Sequence, residues 1–298
     1  MRKISVVVLG ASGFVGKNIV DLLQNDSFVT LFTASRSTSS GEFFFDLLQE
    51  DSWTNIFTIQ PDIIIDASGY GVVKNQTDLE QMYQVNYLQK RTFVDRLFRE
   101  STSTFWIQIG TAFEYSLEAE ALTENSLCFP RTHYGISKNL FSVYLTSSYK
   151  GKYCILRPFG MFGEREDPSK FFPLLLLAQK NRQKIALSDG SQSRDYVYVK
   201  DLSHFILSTI QKGELSKLEN QVINIGSGKP KTLRMFSEIL AKHVPNFDPT
   251  LWNWGAIDQR TNENPIFYNA SSKASELGFS CSDLDEAFHT TVNYYYNL

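Results

Sequence analysis

A tyrosine and a lysine four residues apart, in Tyr134-Gly135-Ile136-Ser137-Lys138, share one face if the segment is helical. A free phenol has a pKa of about 10, so proton exchange near neutrality asks for a shift of about 4 kcal/mol. That is roughly the interaction of a unit charge at ~4 Å in an effective dielectric near 20, and Lys138 is expected to supply it. The same spacing recurs at Tyr70/Lys74 and Tyr196/Lys200. Tyr70 lies in Gly69-Tyr70-Gly71, which disfavours a helix, and Tyr196 lies in an alternating strand, where residues four apart are about 13 Å distant. Tyr134 alone opens a credible helix, running on to Leu140-Phe141 and Tyr144-Leu145. Upstream, Phe105-Trp106-Ile107-Gln108-Ile109 reads as a strand ending at Gly110-Thr111, which puts the Thr111 hydroxyl at a sheet edge. Thr111, Tyr134 and Lys138 together suit proton transfer in a carbonyl/alcohol reaction with hydride supplied by a nicotinamide.

The turn Gly10-Ala11-Ser12-Gly13-Phe14-Val15-Gly16 closes the apolar run Ile4–Leu9 and opens the helical stretch containing Ile19-Val20-Asp21-Leu22-Leu23. Gly10 permits the tight turn, Gly13 lets backbone approach a pyrophosphate, and Gly16 lets helix and strand pack closely. The helix N-terminus then offers free N–H groups to phosphate.

These residues must be held by a larger frame. Six short apolar runs alternate with helical patterns: Ile4–Leu9, Val29–Thr33, Phe43–Phe45, Asp62–Ala67, Phe105–Gly110 and Tyr153–Leu156. The alternation predicts an α/β fold, a Rossmann-type doubly wound parallel sheet whose ligands sit beyond the carboxyl ends of the strands. After Arg157-Pro158 the alternation stops. Lys170–Lys180 reads helical, Tyr196–Val199 and Gln221–Ile225 read as strands, and a smaller interleaved C-terminal substrate lobe is expected. The dinucleotide-binding domain is placed at 1–160 plus about 196–225, and the substrate lobe at about 161–195 and 226–298.

With 298 residues, 42% hydrophobic, the chain can bury a full core, and its net charge of −3 gives no basic field for nucleic acid or anionic membrane. Three widely spaced cysteines without a CxxC pair suit reduced thiols, and a cytoplasmic location is expected. Met1-Arg2-Lys3 enters a strand without the pattern of a secretory signal. The longest apolar block, Phe171–Ala178, is far short of the ~20 residues of a membrane helix. The four histidines lack metal-ligand spacing, so no metal is expected, although His133 stands beside Tyr134. The acidic stretch Glu114–Glu124 reads as a solvated loop face, and Trp252 and Trp254 as packing residues or base contacts.

On these motifs the chain resembles the extended short-chain dehydrogenase/reductases of the NAD-dependent epimerase/dehydratase family, which act on nucleotide sugars. The resemblance also rests on Asp46-Leu47, Ala67-Ser68-Gly69, Asn86, Arg157-Pro158-Phe159, Arg194-Asp195-Tyr196-Val197-Tyr198-Val199 and Asn224-Ile225-Gly226-Ser227-Gly228. It implies cofactor contacts at Gly10, Ser12, Gly13, Phe14, Val15, Gly16, Ser35, Arg36, Ser37, Asp46, Leu47, Ala67, Ser68, Gly69, Asn86, Tyr134, Lys138 and Arg157. Substrate contacts are implied at Thr111, Ala112, Phe113, Phe171, Arg194 and Arg260, the two arginines holding a diphosphate with planar guanidinium forks. A nucleotide-diphosphate sugar is the expected small-molecule partner, and a homodimer the expected assembly.

Departures from the family narrow the reaction. Ala112-Phe113 replaces the Asp-Glu that dehydratases carry after the threonine, and Phe113 stands where epimerase-reductases carry a cysteine. Gly160 takes the place of a usual asparagine. The second strand ends in Thr33-Ala34-Ser35-Arg36-Ser37 without the acid of NAD-preferring relatives, which favours NADPH, with NADH as the alternative. The expected reaction is reduction of a nucleotide-activated 4-keto-6-deoxyhexose. A 4-epimerase is the alternative, and a non-catalytic dinucleotide-binding sensor or scaffold a further one.

Overall fold

Val6, Val7, Val8 and Leu9 are all fully buried, so β1 (Ile4–Leu9) is apolar on both faces and must lie within a sheet covered on both sides. A computed structural model describes residues 2–37, 43–116, 118–258 and 264–297 and shows that sheet. Its other strands are β2 (Val29–Ser35), β3 (Phe43–Phe44), β4 (Ile63–Asp66) and β5 (Phe105–Ile109). Beyond a short β6 (Ala121–Leu122) follow β7 (Lys152–Pro158), β8 (Gly160–Phe162), β9 (Ile185–Leu187), β10 (Ser193–Arg194), β11 (Tyr196–Tyr198) and β12 (Gln221–Ile225). The seven-stranded sheet runs β12-β7-β5-β4-β1-β2-β3, parallel throughout.

The helices divide between its faces. Val6 and Val8 pack with Ile19 and Leu23 of α1 (Phe14–Leu23), and Val7 and Leu9 pack on the opposite layer. Beyond the short α2 (Thr54–Ile59) and α3 (Leu79–Tyr83), that opposite layer contains α4 (Gln89–Glu100) and α5 (His133–Ser147), through Phe93, Val94, Leu97, Phe141 and Leu145. After α6 (Phe171–Lys180), α7 (Val199–Gln211) covers the first face with Leu202, Phe205 and Ile206.

Three strand expectations are adjusted. Phe45 leaves the sheet for the core, so the third strand is Phe43–Phe44. Gln221–Ile225 adds a seventh strand beside β7. The strand at Tyr196 stops at Tyr198, pairs among the described residues with β8 alone, and Val199 already begins α7.

The remaining chain comprises α8 (Leu215–Leu218), β13 (Lys231–Thr232), α9 (Leu233–Ala241), β14 (Trp252–Trp254), β15 (Ile266–Asn269), α10 (Lys273–Glu276) and α11 (Leu284–Asn297). Phe172, Leu175 and Leu176 of α6, Phe236 and Leu240 of α9, and Phe288 and Val292 of α11 form a separate aromatic-rich core with Phe162, Tyr198 and Trp252. Trp252 donates its indole N–H to Leu175 O at 3.1 Å, which settles it as a packing residue. Among the described residues no helix is long and apolar enough to cross a membrane.

Candidate active site

The glycine turn is shaped by close contact. Gly10 has φ +73°, and a Cβ there would stand 2.8 Å from Ser68 N and 2.9 Å from Ala67 O. A Cβ on Gly16 would stand 2.2 Å from Gly10 O, whereas one on Gly13 meets only Gly10 O at 3.3 Å. Turn and helix therefore need glycine at both ends, and Gly13 leaves room at the helix N-terminus. No side chain caps that N-terminus, and Ser12 and Gly13 are exposed, so the first-turn N–H groups suit the diphosphate of a dinucleotide. Phe14 and Val15 are half-buried and pack into the cores behind the turn.

Around the turn, several expected cofactor contacts prove to be engaged with the protein itself. Ser35 is buried and its hydroxyl donates to Ser37 O at 2.8 Å, while Arg36 is exposed. Asp46 Oδ1 accepts the Leu48 N–H at 3.0 Å, and Leu47 is a core residue. The Asn86 amide is occupied at both ends. Its Oδ1 accepts from Tyr70 N at 2.9 Å, and its nitrogen donates to Tyr70 O at 2.8 Å and to Ser137 Oγ at 2.9 Å. It ties the loop after β4 to α5. Ala67 continues β1–β4 pairing through its N–H to Leu9 O at 3.0 Å, and Ser68 turns its hydroxyl inward to Asp66.

The carbonyl-chemistry residues converge from two elements. Thr111 follows β5 and caps the turn Ala112–Glu114, its Oγ1 accepting from Phe113 N at 3.3 Å. Glu114 reaches back with Oε1 to the Thr111 N–H at 2.9 Å, which completes a capping box. Thr132 caps α5, accepting from Gly135 N at 3.1 Å, and sets Tyr134 in the first turn with Lys138 one turn on. The two elements touch: a Cβ on Gly135 would stand 2.3 Å from Phe113 O. Lys138 donates to Ile109 O at 2.7 Å, two residues before Thr111. Tyr134 is half-buried, and its Cδ2 would lie 3.4 Å from a Cβ on Gly71. His133 is exposed beside it, Nδ1 at 3.0 Å from the Tyr83 hydroxyl.

One electrostatic expectation is reversed. The folded site does not bring the phenol down: burial first, and the Glu114 carboxylate second, push Tyr134 above the usual phenol range. Lys138 is itself pulled down to about 8 by burial and by Lys90, against the opposing pull of Asp66 and Glu114. Its ammonium is partly desolvated and committed to a backbone carbonyl.

Glu114 also corrects the reading of its loop. It is 0% exposed and paired with Arg157, whose Nη2 lies 2.9 Å from Oε2. Arg157 is itself buried, its guanidinium carbon 4.7 Å from the Tyr115 ring, so it supports the Thr111 turn through Glu114. At the loop's far end Glu124 accepts the Asn224 N–H at 2.8 Å, while Glu118 and Glu120 between them are exposed.

On the expected substrate side, Ala112 is buried and Phe113 is 38% exposed, edge-on to Phe267 at 5.7 Å. Phe171 is half-buried between Phe172 and Trp254. Arg194 is 8% exposed, lies 4.8 Å over Phe267, and donates Nη1 to Pro265 O at 3.1 Å and Ser193 O at 2.9 Å. That nitrogen braces the backbone. Arg260 lies outside the described residues. A Cβ on Gly160 would stand 2.6 Å from the Tyr196 ring, so in this fold the position has no room for a side chain unless that ring moves. Lys170, at the start of α6, donates across to Val72 O and joins the second lobe to the loop beside Tyr134.

Seven parallel strands in this order, with a glycine turn leading from β1 into an uncapped helix, define a Rossmann-type dinucleotide-binding protein. The chain belongs to the NAD-dependent epimerase/dehydratase family, whose model matches residues 6–226. A putative UDP-glucose 4-epimerase of Methanocaldococcus jannaschii is 26% identical over 98% of both chains. CDP-abequose synthase of Salmonella muenchen is 23% identical over 73% of this chain and 71% of its own. GDP-6-deoxy-D-talose 4-dehydrogenase of Aggregatibacter actinomycetemcomitans is 25% identical over 75% and 74%. In fold the chain is similar to UDP-N-acetylglucosamine 4-epimerase from Methanobrevibacter ruminantium M1, with a TM-score of 0.85 at 22% identity, covering 100% of this chain and 99% of that one.

Proposed function

We propose that the chain is an NAD(P)H-dependent 4-ketoreductase of a nucleotide-activated 4-keto-6-deoxyhexose. The observation that carries this reading is that Thr111, Tyr134 and Lys138 share one buried carboxylate, which accepts the Thr111 N–H and whose charge acts on the other two. That carboxylate, Glu114, is sealed in a pair with Arg157, while Ala112 and Phe113 supply no further acid or base. Proton transfer by one phenol is what a ketone reduction needs; elimination of water and double epimerisation need additional groups. In the proposed cycle the Thr111 hydroxyl and the Tyr134 phenol hydrogen-bond the C4 carbonyl oxygen. Tyr134 gives its proton to that oxygen as it becomes an alkoxide, and Lys138 restrains the charge left on the phenol. The Gly10–Gly16 turn would hold the diphosphate of a dinucleotide, whose nicotinamide would supply the hydride. Phe113 offers an apolar face beside the reacting carbon, and the 6-deoxy sugar is in keeping with the name of the talose 4-dehydrogenase relative.

The test is incubation with NADPH and a panel of 4-keto-6-deoxy sugar nucleotides. We expect one NADPH consumed per sugar, a 6-deoxyhexose product, and a protein that purifies largely free of cofactor. The second reading, a nucleotide-sugar 4-epimerase, is favoured by the name of the relative matched over nearly its whole length. Tightly retained NAD and interconversion of two 4-hydroxy sugar nucleotides, without net nicotinamide absorbance change, would select it.

A further inference from the structure

The end of β4 carries charges that the proposed reaction does not use. Asp66 is 0% exposed where the apolar strand Ile63-Ile64-Ile65 runs into the Ala67-Ser68-Gly69 loop. Lys90, in the first turn of α4, is 1% exposed, and its Nζ lies 2.6 Å from Asp66 Oδ2 as an ion contact. The same ammonium donates to Ser68 O at 3.1 Å and stands 5.7 Å from the centre of the Phe141 ring. Ser68 closes the group by donating its N–H to Asp66 Oδ1 at 3.0 Å and its hydroxyl to the same oxygen. A pair sealed from water in this way is poor value as a stability device, because apolar side chains of similar volume often serve as well.

Its position suggests another use. Phe141, beneath Lys90, is three residues beyond Lys138 on α5, so both lysines enter the same layer between α4, α5 and the sheet. Asp66 pairs in register with Gln108 on β5, and Lys138 donates to Ile109, the next residue. The charged and titratable groups around Lys138 are therefore Lys90 from α4, Asp66 from β4, Glu114 from the turn after β5, and Tyr134 on its own helix.

We propose that the buried Asp66–Lys90 pair is a positioning device for Lys138, two opposite charges fixed in the water-free layer that the Lys138 ammonium enters to reach Ile109 O. The direction of each influence on Lys138 agrees: after burial, Lys90 is the larger downward pull and Asp66 the larger upward one. Loss of either charge alone would therefore move the titration of Lys138, which stands one turn on from Tyr134, while loss of both would largely cancel. The consequence for turnover rests on the proposed role of Lys138; the electrostatic coupling does not.

The experiment reads Lys138 directly, by NMR of 13Cε-lysine-labelled protein with Lys138→Arg to assign the resonance. In the unaltered protein the titration midpoint is expected near 8. Lys90→Met should raise it and Asp66→Asn lower it, each by at least about 0.5 pH unit, as expected for one neighbouring charge. Lys90→Arg, which keeps the charge, should leave it in place, and the double variant Asp66→Asn/Lys90→Met should return it toward the starting value. The double variant carries no unpaired buried charge, so it guards against misfolding of the single variants. Midpoints that stay fixed in both single variants, or that move the same way, would overturn the proposal. The high-pH limb of kcat/KM should follow the midpoint. A midpoint that moves while the limb does not would leave the pair's action standing and remove Lys138 from the proposed reaction.

Discussion

Arg157 and Glu114 meet through two nitrogens on one oxygen, Nε at 3.0 Å and Nη2 at 2.9 Å from Oε2, with both side chains almost wholly out of water. The carboxylate's other oxygen holds the Thr111 N–H. One ion pair thus fixes the turn that carries the threonine and places negative charge where both Tyr134 and Lys138 feel it.

Glu114→Gln should therefore act on stability first. The amide can still accept from Thr111, but Arg157 is left as a buried charge without its counter-ion, a change that typically costs about 3–5 kcal/mol. Urea unfolding monitored by fluorescence should show the loss as a lower midpoint at unchanged slope. A variant as stable as the parent would mean that water or another group takes over the guanidinium.

Tyr134→Phe separates packing from chemistry. The ring is half-buried against Gly71 and keeps its contacts without the hydroxyl, so the fold and cofactor affinity should be retained. Turnover should fall at least about 100-fold, the usual scale for a positioned acid or base. Near-normal turnover with an intact fold would take the proton donor's role away from Tyr134.

The parallel sheet and the glycine turn were legible because both are written in local pattern: unbroken apolar runs for strands buried on two faces, and glycine where backbone approaches backbone. The Thr111 turn was half legible. Thr111-Ala112-Phe113-Glu114 has the spacing of a capping box, a signal that points to Glu114 as a local partner and not as part of a solvated face. Lys90 was also within reach, since Lys90, Phe93, Val94 and Leu97 share one helical face and the other three are core residues. A lysine on such a stripe needs a buried partner. Nothing local pointed to Asp66 as that partner, nor to Arg157 meeting Glu114 from a different strand, because both pairings depend on how distant segments come together in the sheet. The same holds for Asn86, whose amide bonds the Tyr70 backbone and the Ser137 hydroxyl, whereas the Ser35 hydroxyl meets Ser37 two residues on in a local turn.

Glu166 gives a pH dependence of stability with a definite sign. It lies in the loop between β8 and α6, with Oε2 out of water and without a hydrogen-bond partner, and burial raises its pKa from 4.5 to about 8. An acid with a raised folded value binds its proton more tightly when folded, so between about 4.5 and about 8 the folded state loses stability as pH rises. Glu166→Gln removes that dependence. Its melting temperature should exceed the parent's by a margin that grows from pH 5 to pH 8; a constant margin would show that Glu166 is ionised throughout.

Cofactor choice is expected to turn on Arg36. It is exposed immediately after β2, where the chain Thr33-Ala34-Ser35-Arg36-Ser37 presents no carboxylate to repel a ribose 2′-phosphate. With the Ser35 hydroxyl donating to Ser37 O, the guanidinium is expected to supply most of the discrimination. A charge-assisted hydrogen bond contributes about 1.5–3 kcal/mol, so kcat/KM should favour NADPH over NADH by roughly 10- to 100-fold. Arg36→Ala should erase most of that ratio by weakening NADPH alone, whereas Ser35→Ala should leave it nearly unchanged. A parent enzyme that prefers NADH, or an Arg36→Ala variant with the parent's ratio, would place the selectivity in other residues.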